Sequence, residues 1–145
     1  PRAWAEIKQS MPAGAMPVEV LGEQFAWNIR YAGPDEKMGT PDDIVTLNQF
    51  HFPVGRPVVV SLKSKDVIHS FFLPEFRVKQ DAVPGMTTRI WFEGTRVGNW
   101  EIACAELCGL GHYRMKGFVT VESPEDFQKW LAEQAGEAAE GGSTP

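Results

Sequence analysis

Residues 57–63 alternate Val58, Val60 and Leu62 against Val59, Ser61 and Lys63. A period of two puts one row on each face of an extended strand. The pattern returns in residues 87–93, where Thr88, Ile90 and Phe92 alternate with Arg89, Trp91 and Glu93. It returns again in residues 19–33, where Phe25, Trp27, Ile29 and Tyr31 fall on one face of a predicted strand. Shorter strand-like runs occupy residues 44–47, 49–52, 67–73, 99–103 and 117–122, divided by turns such as the Pro- and Gly-bearing stretch 33–43 (GPDEKMGTPDD). Short strands at this spacing predict an all-β sandwich or barrel and argue against alternating βαβ units.

One helix is expected. Ser123 supplies an N-cap, Pro124 the first helical position, and Glu125 and Asp126 acids for the first turn. Phe127, Trp130 and Leu131 then recur at helical spacing and give a narrow apolar stripe. The predicted organisation is a lead-in arm at 1–16, a β domain at 17–123, a short helix at 124–135, and a flexible tail at 136–145 whose Ala, Glu, Gly and Ser read as linker. With 145 residues the chain is long enough for one domain with a real core, and no internal repeat is present.

Charge excludes one class of partner. Of the net −5, all is carried by residues 122–145, where six acids face Lys129 alone; residues 1–121 balance. A neutral body with an acidic tail offers no basic stripe for nucleic acid. No apolar run approaches the roughly 18 residues needed to span a bilayer.

The two cysteines lie four residues apart in the stretch Cys104-Ala-Glu-Leu-Cys108-Gly-Leu-Gly-His112-Tyr-Arg-Met115. A disulfide there would close only a small loop and constrain the unfolded chain little. Two thiols, His112 and Met115 on one inter-strand loop, with His69 following a strand signal upstream, form a set of soft to borderline metal ligands suited to copper. Two thiolates can bridge a pair of coppers, each also bound by one imidazole and completed by a weaker donor such as Met115 or a loop carbonyl. Spacing alone leaves a structural zinc site as the alternative. His51 has no motif partner and reads as an ordinary strand-end residue; Trp91 and Trp100 read as core.

The segment Cys104-x-Glu106-x-Cys108-x-x-x-His112-x-x-Met115-x-Gly117 resembles the CuA loop of cytochrome c oxidase subunit II. Asp66-Val-Ile-His69-Ser-Phe-Phe-Leu-Pro74 and Lys79-Gln-Asp81-Ala-Val-Pro84-Gly85 are similar to that family's first-ligand motif and the segment after it. The resemblance implies a cupredoxin-like Greek-key β-barrel. It implies a binuclear copper centre held by His69, Cys104, Cys108, His112, Met115 and the main-chain carbonyl of Glu106. It also implies a magnesium ion at the Glu106 carboxylate where the domain meets subunit I. The expected function is uptake of electrons from cytochrome c, free or fused, and their delivery to the haem of subunit I, with His112 on the exit side. The expected location is the outer, periplasmic side of the plasma membrane, anchored by transmembrane helices that this chain does not contain.

Three departures from the family pattern matter. Phe25 stands where the family carries the Trp that receives electrons, leaving Phe25 and Trp27 as candidates for that contact. Met86 replaces a usual Arg after Pro84-Gly85, and the two N-terminal membrane helices are absent. Phe25, the helix and the tail also resemble oxidases whose subunit II continues into a cytochrome c domain. The alternative reading is the CuA domain of a nitrous oxide reductase, in which an aromatic residue usually stands at the Glu106 position.

Overall fold

The computed structural model describes residues 14–33, 39, 43–73, 76, 78–104 and 116–141. They form ten strands and one helix: β1 (Met16–Glu23), β2 (Ala26–Tyr31), β3 (Ile44–Leu47), β4 (Gln49–Pro53), β5 (Pro57–Ser64), β6 (His69–Leu73), β7 (Val78–Ala82), β8 (Thr88–Glu93), β9 (Gly98–Cys104), β10 (Lys116–Glu122) and α1 (Pro124–Gly141). Two five-stranded sheets result, ordered β3-β2-β1-β5-β8 and β4-β10-β9-β6-β7. Most neighbours are antiparallel; β1 with β5 and β4 with β10 are the parallel pairs among the described residues.

Alternation in the sequence becomes alternation in burial. Val58, Val60 and Leu62 of β5 are fully buried, as are Trp27, Ile29 and Tyr31 of β2. The inner faces meet through aromatic rings from both sheets. Trp27 of β2 meets Phe71 of β6 edge-on at 5.4 Å between ring centres, and Phe92 of β8 meets Phe52 of β4 at 5.5 Å. Such pairs contribute about 0.5–1.5 kcal/mol beyond the area they bury.

Two expectations need correction, and one strand has no counterpart in the sequence pattern. Residues 19–33 are not one strand: Glu23 pairs with Ala26, so Gln24 and Phe25 form a two-residue hairpin turn between β1 and β2. Phe25 therefore leaves the buried row and is 37% exposed. Strand β7 had no clear apolar signature, because it is an edge strand reading Val-Lys-Gln-Asp-Ala. The helix also runs past residue 135 to Gly141, since Gly136 is tolerated within a helix otherwise rich in Ala and Glu.

The start of α1 follows its caps. Ser123 Oγ accepts the Asp126 amide at 3.1 Å, and the Ser123 carbonyl accepts the Phe127 amide at 2.9 Å. Phe127 is buried, and Trp130 and Leu131 pack against the core from the same side. No described helix is long and apolar enough to cross a membrane.

Candidate metal centre

His69 opens β6, and the turn before it is built from its own polar side chains. The Ser64 hydroxyl donates to the Val67 carbonyl, and the Val67 amide donates to Asp66 Oδ1 at 2.7 Å. The same Oδ1 lies 2.7 Å from His69 Nε2, and Asp66 Oδ2 accepts the Gln24 amide at 2.8 Å. One carboxylate thus ties together the β1–β2 turn, the β5–β6 turn and the imidazole. Partial desolvation pushes the Asp66 carboxyl up. The Gln24 amide, the His69 imidazole and the Val67 amide outweigh that and hold it below the usual carboxylate range.

An ionised carboxylate can only accept, so the proton of the neutral imidazole sits on Nε2 and Nδ1 keeps its lone pair. His69 is fully buried, edge-on to Trp27 with ring centres 6.0 Å apart. Its Nδ1 has no hydrogen-bond partner among the described residues. A buried acceptor left unpaired costs about 1–3 kcal/mol, and a metal ion satisfies it. An imidazole whose other nitrogen donates to a carboxylate is the usual form of a metal-bound histidine. On this observation His69 fits a copper ligand.

Strand register brings Cys104 beside it. Cys104, the last residue of β9, pairs opposite Phe71, two residues along β6 from His69. Lys116 begins β10 opposite Ala103 of β9. The two ends of the cysteine-bearing segment are therefore held side by side in one ladder, next to His69. Glu106, Cys108, His112 and Met115 lie outside the described residues. Among the described residues no three His, Cys, Asp or Glu side chains converge on a metal position.

Of the two aromatic candidates, Trp27 is fully buried and cannot touch a partner, whereas Phe25 reaches the surface. Val67, Ile68 and Met86 are exposed as well. The turns that carry them join Phe25 at this end, through the bond from Gln24 to Asp66 and the bridge between Ser64 and Pro84. His51 belongs to another cluster: its Nδ1 lies 2.8 Å from Glu122 Oε1, and its ring stacks on Trp130. The sequence signal for Asp66 is its place three residues before His69, in the segment that resembles the family's first-ligand motif.

The profile of the family described as "Cytochrome C oxidase subunit II, periplasmic domain" matches residues 16–123. The chain is 40% identical over 147 residues to the alternative cytochrome c oxidase subunit 2 of Bradyrhizobium diazoefficiens, covering 86% of this chain and 53% of that one. It is 46% identical over 114 residues to cytochrome c oxidase subunit 2 of Thermostichus vulcanus, covering 78% and 32% respectively. It thus spans about half or less of the length of these relatives. Its fold is similar to the crystal structure of the periplasmic domain of subunit II of cytochrome oxidase from Bradyrhizobium japonicum. The TM-score is 0.78 at 26% identity, over 88% of this chain and 99% of that one. Two β-sheets with a C-terminal helix match that domain's cupredoxin-like fold. The chain belongs to the cytochrome c oxidase subunit II family, of which it carries the periplasmic domain.

Proposed function

We propose that this domain is an electron-transfer module that holds a binuclear copper centre through His69, Cys104, the Glu106 main-chain carbonyl, Cys108, His112 and Met115. The observation that carries the proposal is the buried Nδ1 of His69, without a partner among the described residues, aligned by Asp66 and set beside Cys104 by strand register. When bound, a copper pair held by these residues would supply a one-electron relay with small reorganisation, because the charge of each metal would change by less than a full unit. The chain's own part is preparation. Asp66 holds the Nε2 proton, Trp27 and Phe71 exclude water behind the imidazole, and the β9–β10 ladder holds both ends of the loop.

The donor we assign is cytochrome c, free or fused, and the acceptor is the haem of oxidase subunit I on the outer side of the plasma membrane. Glu106 is the residue toward a magnesium ion at that subunit boundary. Family membership supports the oxidase assignment, and Glu106, in place of an aromatic residue, favours it over a nitrous oxide reductase. For the donor contact we assign Phe25, the exposed aromatic of the β1–β2 turn, with Trp27 buried behind it. Exposed Phe25, Val67, Ile68 and Met86 on a body of balanced charge suit an apolar docking face.

Electron paramagnetic resonance on the copper-loaded domain tests the reading. Hyperfine splitting from one electron shared by two equivalent copper nuclei is the expected result. A four-line signal from one copper, or selective retention of zinc, would overturn it.

A further inference from the structure

Gly22 lies on β1 with no local reason to be glycine. Its φ is outside the left-handed region, and it is paired on both sides, opposite Trp27 of β2 and Ser64 of β5. It continues the inward row of Val18 and Val20 and is itself buried. Glycine inside a strand gives up side-chain packing, and it often marks a place where another group approaches closely. Here that group is the imidazole. A Cβ on Gly22 would stand 3.1 Å from His69 Cδ2, 3.2 Å from His69 Cγ and 3.1 Å from Trp27 Cζ3. Ordinary contacts to a Cβ begin nearer 3.4 Å, so a methyl group would have to displace one of two fully buried rings.

We propose that Gly22 is a positioning residue of the metal centre: its bare backbone is the seat on which the His69 ring rests. The Cγ–Cδ2 side of the ring lies where a Gly22 side chain would stand, Asp66 holds Nε2, Trp27 meets the ring in a T-shaped contact, and Nδ1 has no partner among the described residues. The seat is fixed in turn. The Lys65 amide donates to the Gly22 carbonyl at 2.9 Å, and two residues on the Gln24 amide donates to Asp66. The end of β1 that seats the ring and the turn that holds its proton are thus hydrogen-bonded to one another. A shift of β1 at residue 22 moves the imidazole relative to Asp66. The missing side chain, and not backbone freedom, is what the site uses.

The assignment rests on His69 being a copper ligand, and its test separates the two ideas. Gly94 is the control. A Cβ there would come within 2.9 Å of Phe52 Cε2 and of Val121 Cγ1, crowding the core more severely but away from His69. Gly22→Ala and Gly94→Ala are compared for thermal stability, for copper retention against a competing chelator, and for the imidazole 15N shifts of His69 in the copper-free domain. Both variants are expected to lose stability. Gly22→Ala alone should shift the two imidazole nitrogens and weaken copper retention about 10–100-fold, the usual cost of disturbing what orients a ligand. Equal retention and unchanged 15N shifts in the two variants would overturn the proposal. Should Gly22→Ala not fold, the copper-free wild-type domain decides: a direct cross-peak between Gly22 Hα and His69 Hδ2 is expected, and its absence overturns the seat. Failure of the wild-type domain to bind copper would count against the function proposed above, while these copper-free measurements would still judge the seat.

Discussion

The imidazole of His51 lies flat on the indole of Trp130, ring centres 3.9 Å apart and planes 8° from parallel. The contact joins β4 to α1, and Glu122 of β10 holds His51 Nδ1 at 2.8 Å. Tyr31 adds a second tie, its hydroxyl donating to the His51 carbonyl at 2.9 Å and accepting the His51 amide at 2.7 Å. The helix is therefore fastened to the sandwich through a histidine unrelated to the metal site.

Trp130→Ala removes the stacking partner of His51 together with an edge contact to Tyr31 and a stacked contact with Phe127. Because Trp130 is only half-buried, the expected cost is about 2 kcal/mol, below the 3–5 typical of a core aromatic. Urea unfolding measures it, and the copper spectrum of the folded variant should match wild type.

Burial pushes the Tyr31 phenol well above its ordinary range, with only partial relief from its bond to the His51 backbone. In the unfolded chain the phenol ionises near pH 10, whereas the folded phenol keeps its proton. Above that pH the unfolded state binds fewer protons than the folded one, so stability falls as pH rises. Tyr31→Phe should flatten this alkaline decline in unfolding curves taken between pH 9 and pH 11. At neutral pH it should cost about 1–3 kcal/mol, because two buried backbone groups of His51 lose their partner.

Asp66→Ala removes the acceptor shared by the Gln24 and Val67 amides and His69 Nε2. Copper retention should weaken about 10–100-fold. The fold should survive, since the carboxylate sits near the surface and water can replace it at the two amides. Chelator competition and circular dichroism separate the two effects.

Cys104→Ser and Cys108→Ser should each abolish the shared-electron signal, because a hydroxyl does not replace a bridging thiolate. His51→Ala should leave it intact. Loss of the signal in His51→Ala, or its survival in either serine variant, would contradict the ligand assignment.

Phe25→Ala should slow electron uptake from cytochrome c by about tenfold or more, judged by the energy scale of an aromatic anchor in an interface. Uptake by the wild-type domain should depend only weakly on ionic strength, because residues 1–121 carry balanced charge. Stopped-flow measurements across a salt series check both. A steep salt dependence would point to a charged docking face elsewhere.

What the sequence disclosed follows from the range of the interactions involved. The strand of Val58, Val60 and Leu62 was legible because its inward row is purely aliphatic and its outward row mostly not. The β1–β2 turn was not: Gln24 and Phe25 are no turn-formers, and apolar alternation runs straight through them into Trp27. It is held by Asp66, 42 residues away from Gln24, and local pattern carries no trace of that bond. His51 looked ordinary for the same reason, since Glu122 is 71 positions downstream. The first-ligand segment stood out because Asp66 and His69 are close in sequence. The role of Gly22 appears only when β1 is laid against the ring it supports.

The Gln24 amide from the β1–β2 turn and the Val67 amide and His69 imidazole from Asp66's own turn converge on the single carboxylate of Asp66. The entropy lost in orienting His69 is therefore spent while the polypeptide folds, and for the copper role proposed above that position would start from a finished half-socket. Loading on the His69 side would then be paced by access and by delivery, with no rearrangement of the histidine to wait for.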